Sequence, residues 1–168
     1  MITNDPSVVE SFLQFAEKSE DPNLRREALL FLSAVTQPTG DMLTRLVRLG
    51  KSDGDSGVQA GAVQALAQFA QFHPEQAGTV SRELLEVAQS AREPMVRVAA
   101  ISSLNAAETG DNGLRILSGL LRGDSDAQVR LAALLVCSEM PVTDAAGSAI
   151  FTALQDARNS EDRWIPDA

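Results

Sequence analysis

The sequence predicts an all-α fold, an α-α superhelix in the form of a right-handed solenoid of about five helical hairpins, with the last hairpin truncated. Two observations predict it. One helical pattern returns every 33 to 38 residues along the chain, and a second apolar helical pattern precedes each copy. The composition agrees, because Ala and Leu are frequent, tyrosine is absent and no run of alternating residues indicates a strand.

The repeat is defined by an apolar anchor that stands three residues after an acidic residue. The acidic residues are Asp21, Asp55, Glu93, Asp126 and Glu161, and the anchors are Leu24, Val58, Val96, Val129 and Trp164. The anchors are 34, 38, 33 and 35 residues apart. Each acidic residue suits the start of a helix, where a carboxylate accepts from unpaired backbone N–H groups and opposes the helix dipole. We name the helix that starts at each of these points helix B.

Three further columns follow the anchors and define the inner face of helix B. Four residues after the anchor stands alanine, at Ala28, Ala62, Ala100, Ala133 and Ala168. Five residues after it stand Leu29, Val63, Ile101 and Leu134, and eight residues after it stand Leu32, Leu66, Leu104 and Cys137. These offsets lie on one face of an α-helix. The small residue permits close approach of a neighbouring helix, and the larger ones fill the space beside it.

Another apolar-periodic segment, helix A, precedes each helix B. The predicted segments are Pro6–Lys18, Asp41–Leu49, Glu75–Ala91, Asp111–Leu121 and Thr143–Ala157. Turn signals such as His73-Pro74 and Gly110-Asp111 separate the helices. The chain therefore reads as a single domain over residues 1–168. Its repeats cover about 5–37, 38–72, 73–109, 110–141 and, in part, 142–168.

The pattern D-x-x-V-R-x-A-A-x-x-x-L resembles the HEAT-repeat family. It stands here as Asp126, Val129-Arg130 and Ala132-Ala133, and again as Val96-Arg97, Ala99-Ala100 and Leu104. The closest resemblance is to short, alanine-rich bacterial HEAT-like repeats related to phycobilisome-lyase repeats. The resemblance implies a HEAT-like solenoid but no particular activity, since such repeats serve scaffolds, adaptors, transport factors and a few lyases. The second copy departs from the pattern at Gln59-Ala-Gly61, where Gly61 marks either a tight helix contact or a locally softer repeat.

The fifth copy ends about one turn into its helix B, which would leave Trp164 and Ile165 poorly covered. Solenoids close with a polar cap, so we expect the array to continue in a larger multidomain protein, or the uncapped end to self-associate. The segment 162–168 is also similar to HEAT segments of large bacterial dehydrogenase-like proteins that carry a c-type haem tail. The haem motif CxxCH is absent here. The resemblance implies a bacterial cytoplasmic location, or export if the parent protein is exported.

Charge and hydropathy exclude several classes of partner. The formal net charge is −9, whereas a nucleic-acid surface needs clustered Lys and Arg, so we expect no nucleic-acid partner. No stretch of 18 or more apolar residues occurs, and the first residues lack the basic start and apolar run of a signal peptide. We therefore expect a soluble protein that does not enter a membrane.

A basic column follows the anchors by one residue, at Arg25, Gln59, Arg97 and Arg130. It has two readings: a stripe that grips an acidic partner, or side chains that bond the helix-start carboxylate or turn carbonyl of an adjacent unit. The second reading fits the family pattern and the acidic column, and we favour it. Exposed ion pairs contribute about 0–1 kcal/mol each, so apolar burial is expected to dominate the stability of the stack.

The residues of helix B at offsets 2, 6 and 9 form the candidate binding surface. In HEAT solenoids helix B commonly lines the concave side, so the resemblance places a protein or peptide partner here. The alternative is that its apolar members only pack against neighbouring helices. The candidate residues, hereafter the helix B stripe, are Arg26, Leu30, Gln64, Val98, Ser102, Asn105, Leu131, Leu135 and Ser138.

The other chemically interesting residues favour structural roles. The only histidine, His73, falls in a turn, and the only cysteine, Cys137, occupies a core offset, so neither predicts a metal site or an activated nucleophile. Glu83 and Glu86 share a helix face and read as solvated rather than as an acid pair. We therefore predict no catalytic residues, no metal and no cofactor.

The leading functional hypothesis is a protein-interaction or scaffolding module. The alternatives are a ligand- or chromophore-handling protein of the lyase-related kind, and a structural spacer in a larger redox protein. The lyase-related alternative expects aromatic and ionisable residues that converge on one pocket, and helix B carries few of either.

Overall fold

A computed structural model describes residues 5–38 and 40–140, together with the short stretches 147–148, 150–152 and 155–156. The described part is helical and contains no strand. Its helices are α1 (Pro6–Lys18), α2 (Pro22–Ser33), α3 (Met42–Ser52), α4 (Ser56–Phe72), α5 (Ala77–Ser90), α6 (Pro94–Ser102), α7 (Ala106–Gly123) and α8 (Ala127–Glu139), with a 3-10 turn at Pro74–Gln76 before α5.

The helices pack as four consecutive pairs, α1 with α2, α3 with α4, α5 with α6, and α7 with α8. Helices α2, α4, α6 and α8 contact one another in sequence, and α1, α3, α5 and α7 do the same. Within the described residues, every helix contact joins members of one pair or of adjacent pairs. The even-numbered helices are the predicted B helices and the odd-numbered ones the predicted A helices, so we call the two sets layer B and layer A.

The helix starts follow from local side-chain chemistry. Asp21, Asp55 and Asp126 each accept a hydrogen bond from a backbone N–H of the first turn of their helix B, as the sequence predicts. Glu93 stands at the same position before α6 but makes no such side-chain bond. Its longer side chain is a poor fit to the cap geometry, and Pro94 stabilises this start by fixing the first helical φ angle.

The predicted inner face of helix B forms the core. The alanine column is buried at Ala28, Ala62, Ala100 and Ala133, and the columns at offsets 5 and 8 are buried except for the half-buried Leu134. The anchors Val58, Val96 and Val129 are fully buried. The expectation for Leu24 is wrong, because 52% of this anchor is exposed. Helix α2 is the first helix of layer B in the described chain, and it packs only on α1 and α4.

Three of the four described A helices differ from their predicted bounds. Helix α3 begins at Met42 and ends at Ser52, three residues past the predicted Leu49. The predicted helix Pro6–Lys18 is confirmed, but Glu75–Ala91 is divided into the 3-10 turn and α5. Helix α7 begins at Ala106, five residues before the predicted Asp111, and it is kinked at Gly110, whose φ is 60° and ψ −175°. The turn signal at Gly110 is therefore a kink between two helical parts, the second of which starts where the sequence predicts.

The fifth repeat falls mainly outside the described residues. Of the predicted helix Thr143–Ala157, the described positions 147–148, 150–152 and 155–156 are helical, and Ile150 packs against the core. The predicted anchor Trp164 and the residues around it lie outside the described part.

Candidate functional site

The helix B stripe lies at the surface of layer B. Leu30, Leu131 and Leu135 are exposed large apolar residues, with 67%, 40% and 56% of their surface accessible. Of the remaining six members only Val98 is half-buried, and the other five are exposed. Leu131 and Leu135 thus retain exposed surface, whereas Val98 packs against the core as the packing alternative expects.

Three members of the stripe meet at a cavity of about 640 Å³, namely Gln64, Ser102 and Asn105. Helix α4, helix α5, the residues that end α6 and the last residue of α2 form its walls. The other six stripe residues do not line it. We call this space the polar cavity, and its lining residues are Ser33, Gln64, Ala67, Gln68, Ala70, Gln71, Ala77, Val80, Ser81, Leu84, Ser102, Ser103, Leu104 and Asn105.

The polar cavity arises from unequal helix lengths in layer B. Helix α4 has 17 residues, whereas its neighbours α2 and α6 have 12 and 9. The last turns of α4 therefore have no helix of layer B on either side, and α5 forms the floor beneath them. This difference could be foreseen only in part, since the repeat columns fix where each helix B starts but not where it ends.

The lining of the polar cavity is neutral. It combines carboxamides and hydroxyls with small and aliphatic side chains, and it contains no ionisable or aromatic residue. Gln64, Gln68 and Gln71 stand at positions i, i+4 and i+7 of α4, which places their side chains on one face. Sequence reasoning selected Gln64 and missed Gln68 and Gln71, although the spacing of the three glutamines was visible in the sequence.

The basic column does not form part of this surface. Arg25, Arg97 and Arg130 each donate from Nη1 to the backbone carbonyl six residues earlier, at 2.8, 3.1 and 2.9 Å. Gln59 donates to the equivalent carbonyl of Asp53 at 2.7 Å. These carbonyls lie in the turn between helix A and helix B of the same unit. The arginines thus bond within the protein, as the structural reading expects, but the carbonyls belong to the same unit and not to an adjacent one.

Two of the arginines also join adjacent units. Arg25 donates from Nε and Nη2 to both carboxylate oxygens of Asp53, at 3.1 and 2.8 Å. Arg97 binds Asp124 in the same way, with both distances 2.8 Å. We call each of these bidentate pairs an Arg–Asp clamp. The carboxylate belongs to the turn of the next unit, five residues before its anchor, and not to the helix-start residue that the sequence suggested.

The clamp carboxylate of Asp124 has a lowered pKa. Burial raises the pKa of Asp124, but hydrogen bonds from Arg97 and from the backbone N–H of Asp126, with the nearby charges of Arg97 and Arg130, outweigh it and hold that pKa below its ordinary value. The carboxylate therefore stays ionised beside its arginine. Each clamp also accepts the N–H of the residue that starts the next helix B, since Asp53 binds Asp55 and Asp124 binds Asp126, both at 2.9 Å.

The joint between the second and third pairs lacks the clamp. Its arginine position holds Gln59 and its carboxylate position holds Ala91. The backbone at Ala91 (φ −64°, ψ 132°) matches that at Asp53 (φ −63°, ψ 145°), so the two positions are equivalent. The polar cavity lies at this same joint, between α4 of one unit and α5 and α6 of the next.

Layer A joins these two units with a different ion pair. Lys51 of α3 contacts Glu83 and Glu86 of α5, with N–O distances of 2.6 Å to each. The hydrogen bonds that Lys51 donates to these two carboxylates raise the pKa of its ammonium group. Glu83 and Glu86 thus share one lysine, with Glu83 half-buried and Glu86 on the exposed helix face.

The remaining candidates have structural surroundings. Cys137 is 1% exposed, and burial raises the pKa of its thiol to about 11, which disfavours the reactive thiolate. His73 follows α4, where its ring contacts Phe69 and its Nδ1 lies 3.3 Å from a carboxylate oxygen of Glu75. Among the described residues, no group of three or more His, Cys, Asp or Glu side chains is arranged to hold a metal ion.

No helix in the described ranges is both long and apolar enough to cross a membrane. Comparison with protein-family models gives no match, and comparison with curated proteins gives none either.

Proposed function

We propose that this chain is a HEAT-like solenoid that acts as a protein-interaction or scaffolding module, and that its partner binds layer B. The observation that carries the proposal is the helix B stripe, which combines exposed large apolar residues with three polar residues that line a cavity. Exposed apolar area rimmed by polar groups is typical of interaction surfaces.

The arrangement of the helices supports this proposal. The stripe residues stand on the side of helix B away from the buried columns, and consecutive B helices contact one another. The stripe therefore continues from α2 across α4 and α6 to α8. A surface of this kind suits an elongated partner, and on a solenoid it would form the concave side.

The lyase-related alternative has less support. It expects ionisable and aromatic side chains around a bound chromophore, and the lining of the polar cavity has neither. A spacer within a larger protein would give the exposed leucines no role. Cross-linking distinguishes a partner-binding surface from a spacer.

Site-specific photo-cross-linking in the native host tests the proposal. A benzophenone side chain placed at Gln64, Leu131 or Ser138 should cross-link the same partner protein, whereas placement at Arg82 of α5 or Arg115 of α7 should not. These two controls are equally exposed but lie on layer A. Alanine replacement of Gln64, Ser102, Asn105 and Leu135 should abolish the cross-links. The proposal fails if that variant keeps every interaction, or if layer A cross-links the partner instead.

A further inference from the structure

The polar cavity has a lining that selects for one class of ligand. Within the described residues, no hydrogen bond engages the carboxamides of Gln64, Gln68 or Gln71, and all three side chains are exposed. Each carboxamide has an acceptor oxygen and two donor hydrogens. Helix α4 therefore presents a row of three groups that can donate and accept at once.

We propose that the polar cavity binds an extended, uncharged peptide segment through the backbone of that segment. A peptide backbone offers an alternating series of N–H donors and C=O acceptors, which is what a row of carboxamides complements. The proposal rests on the proposed function, because it names the ligand class for one part of the helix B stripe.

The dimensions fit a short extended segment. Seven residues of α-helix rise about 10.5 Å, so the row from Gln64 to Gln71 is about as long as three residues of extended chain. The volume of about 640 Å³ is within the range of small-ligand sites. The cavity is also lined by Ser33, the last residue of α2, by Ser102, the last residue of α6, and by Ser103 and Asn105 of the segment that follows α6.

The chemistry of the lining argues against a charged ligand. A charge brought into the cavity would lose water and find no ion of opposite sign among the lining residues. Ala67, Ala70 and Ala77 keep the walls low, and the buried side chains of Val80 and Leu84 lie at the floor. Hydrogen-bonding groups that suit a backbone, combined with a lining without charge, favour an uncharged extended segment.

A library of random nine-residue peptides displayed on phage, selected on the full chain, tests this inference. The enriched peptides should share a run of about three uncharged residues. N-methylation of alternate backbone amides in a fluorescent copy of an enriched peptide should weaken its binding by tenfold or more, since a lost hydrogen bond costs several-fold in affinity.

Matched variants place the peptide in the cavity. The triple variant Gln64→Ala/Gln68→Ala/Gln71→Ala should bind the same fluorescent peptide at least tenfold more weakly, and Gln68→Glu should do so by adding a charge. The control Gln89→Ala/Gln128→Ala removes exposed glutamines of α5 and α8 that do not line the cavity and should bind normally. Alanine favours helix at every one of these positions, so circular dichroism should show intact folds.

The inference would be overturned by no enrichment of any peptide, by enriched peptides that require a charged residue, or by binding that survives the triple variant. None of them touches the cross-linking result at Leu131 and Ser138, which lie outside the cavity. Loss of peptide binding in the control pair would overturn it as well, because the effect would then not be local.

Discussion

At the scale of single residues, Gly110 shows how one position shapes layer A. Its φ of 60° and ψ of −175° lie in a region that is essentially open only to glycine. The kink lets α7 begin at Ala106, directly after the short segment that follows α6. The residues of that segment line the polar cavity, so helix A of the next unit starts where the cavity wall ends. Space is not the constraint there, since an added Cβ at Gly110 would meet nothing within 4 Å.

Replacement of Gly110 by alanine should therefore destabilise the protein through backbone strain alone. We expect Gly110→Ala to lower the free energy of unfolding by about 1–3 kcal/mol, measured by urea denaturation. Gly119→Ala is the matched control, because Gly119 is exposed within the same helix and also has open space around its Cα. It should stabilise the protein by about 0.5–1 kcal/mol. Equal effects at both positions would contradict the assignment of strain to Gly110.

At the scale of helices and their joints, the Arg–Asp clamp distinguishes one joint from the others. The clamps join the first pair to the second and the third pair to the fourth, while Gln59 and Ala91 leave the middle joint without one. Both partners of the clamp are missing together. That combination avoids an uncompensated buried charge, which would cost several kcal/mol. The middle joint is held instead by apolar packing of α4 on α6 and by Lys51 on layer A.

An Arg–Asp clamp introduced at the middle joint should couple the second and third helix pairs as the natural clamps couple the others. In a double-mutant cycle of Gln59→Arg and Ala91→Asp, we expect the pair to be about 1–2 kcal/mol more stable than the sum of the single changes, because each partner alone is left without its counterion. Urea denaturation of the four proteins measures the coupling. The same cycle run in reverse on Arg97→Gln and Asp124→Ala provides the calibration. A coupling within 0.3 kcal/mol of zero in the graft, beside a clear one in the calibration, would show that Ala91 is not equivalent to Asp53.

The sequence predicted these elements unequally. Helix starts were predictable because an aspartate and an anchor signal them locally, as Asp55 and Val58 show. The clamp carboxylates were not recognised, because the column five residues before the anchor has meaning only once consecutive turns lie side by side. Predicting the polar cavity would have required the positions at which the B helices end, and no capping residue signals the end of α6 at Ser102. Exposure of Leu24 was unpredictable for a similar reason, since an anchor is buried only by a preceding helix of layer B.

At the scale of the whole molecule, the ion pairs divide between the layers. Layer B uses the clamps at its turns, whereas layer A uses Arg45, which binds Glu17 at 2.6 Å and Glu10 at 2.7 Å across the first two units. Together with the pairs of Lys51, these ion pairs join adjacent helix pairs through acidic side chains. The stability of the stack should therefore respond to pH through a small set of carboxylates.

Acidification should weaken the fold through Glu17 and Asp124. Hydrogen bonds from Arg45 lower the pKa of Glu17 from its ordinary 4.5 despite partial burial, and the pKa of Asp124 lies below its ordinary 3.8. A carboxylate whose pKa is lowered by folding stabilises the protein above its unfolded pKa, and this stability is lost as the pH falls through its folded pKa. Stability should thus be level from pH 7 to about 5.5 and decline steadily towards pH 3.

The variant Glu17→Gln should isolate one part of this decline. At pH 7 it should be less stable than the parent chain by about 1–2 kcal/mol, because Arg45 loses its principal partner, and the gap should close as the pH falls below 4. Urea midpoints at pH 7, 5, 4 and 3 measure it. Glu20→Gln is the control, since Glu20 is exposed and its carboxylate forms no ion pair in the described chain, so its gap should stay near zero throughout. A constant gap for Glu17→Gln from pH 7 to 3 would mean that its effect is one of packing, and that the ionised carboxylate has no part in holding the first two units together.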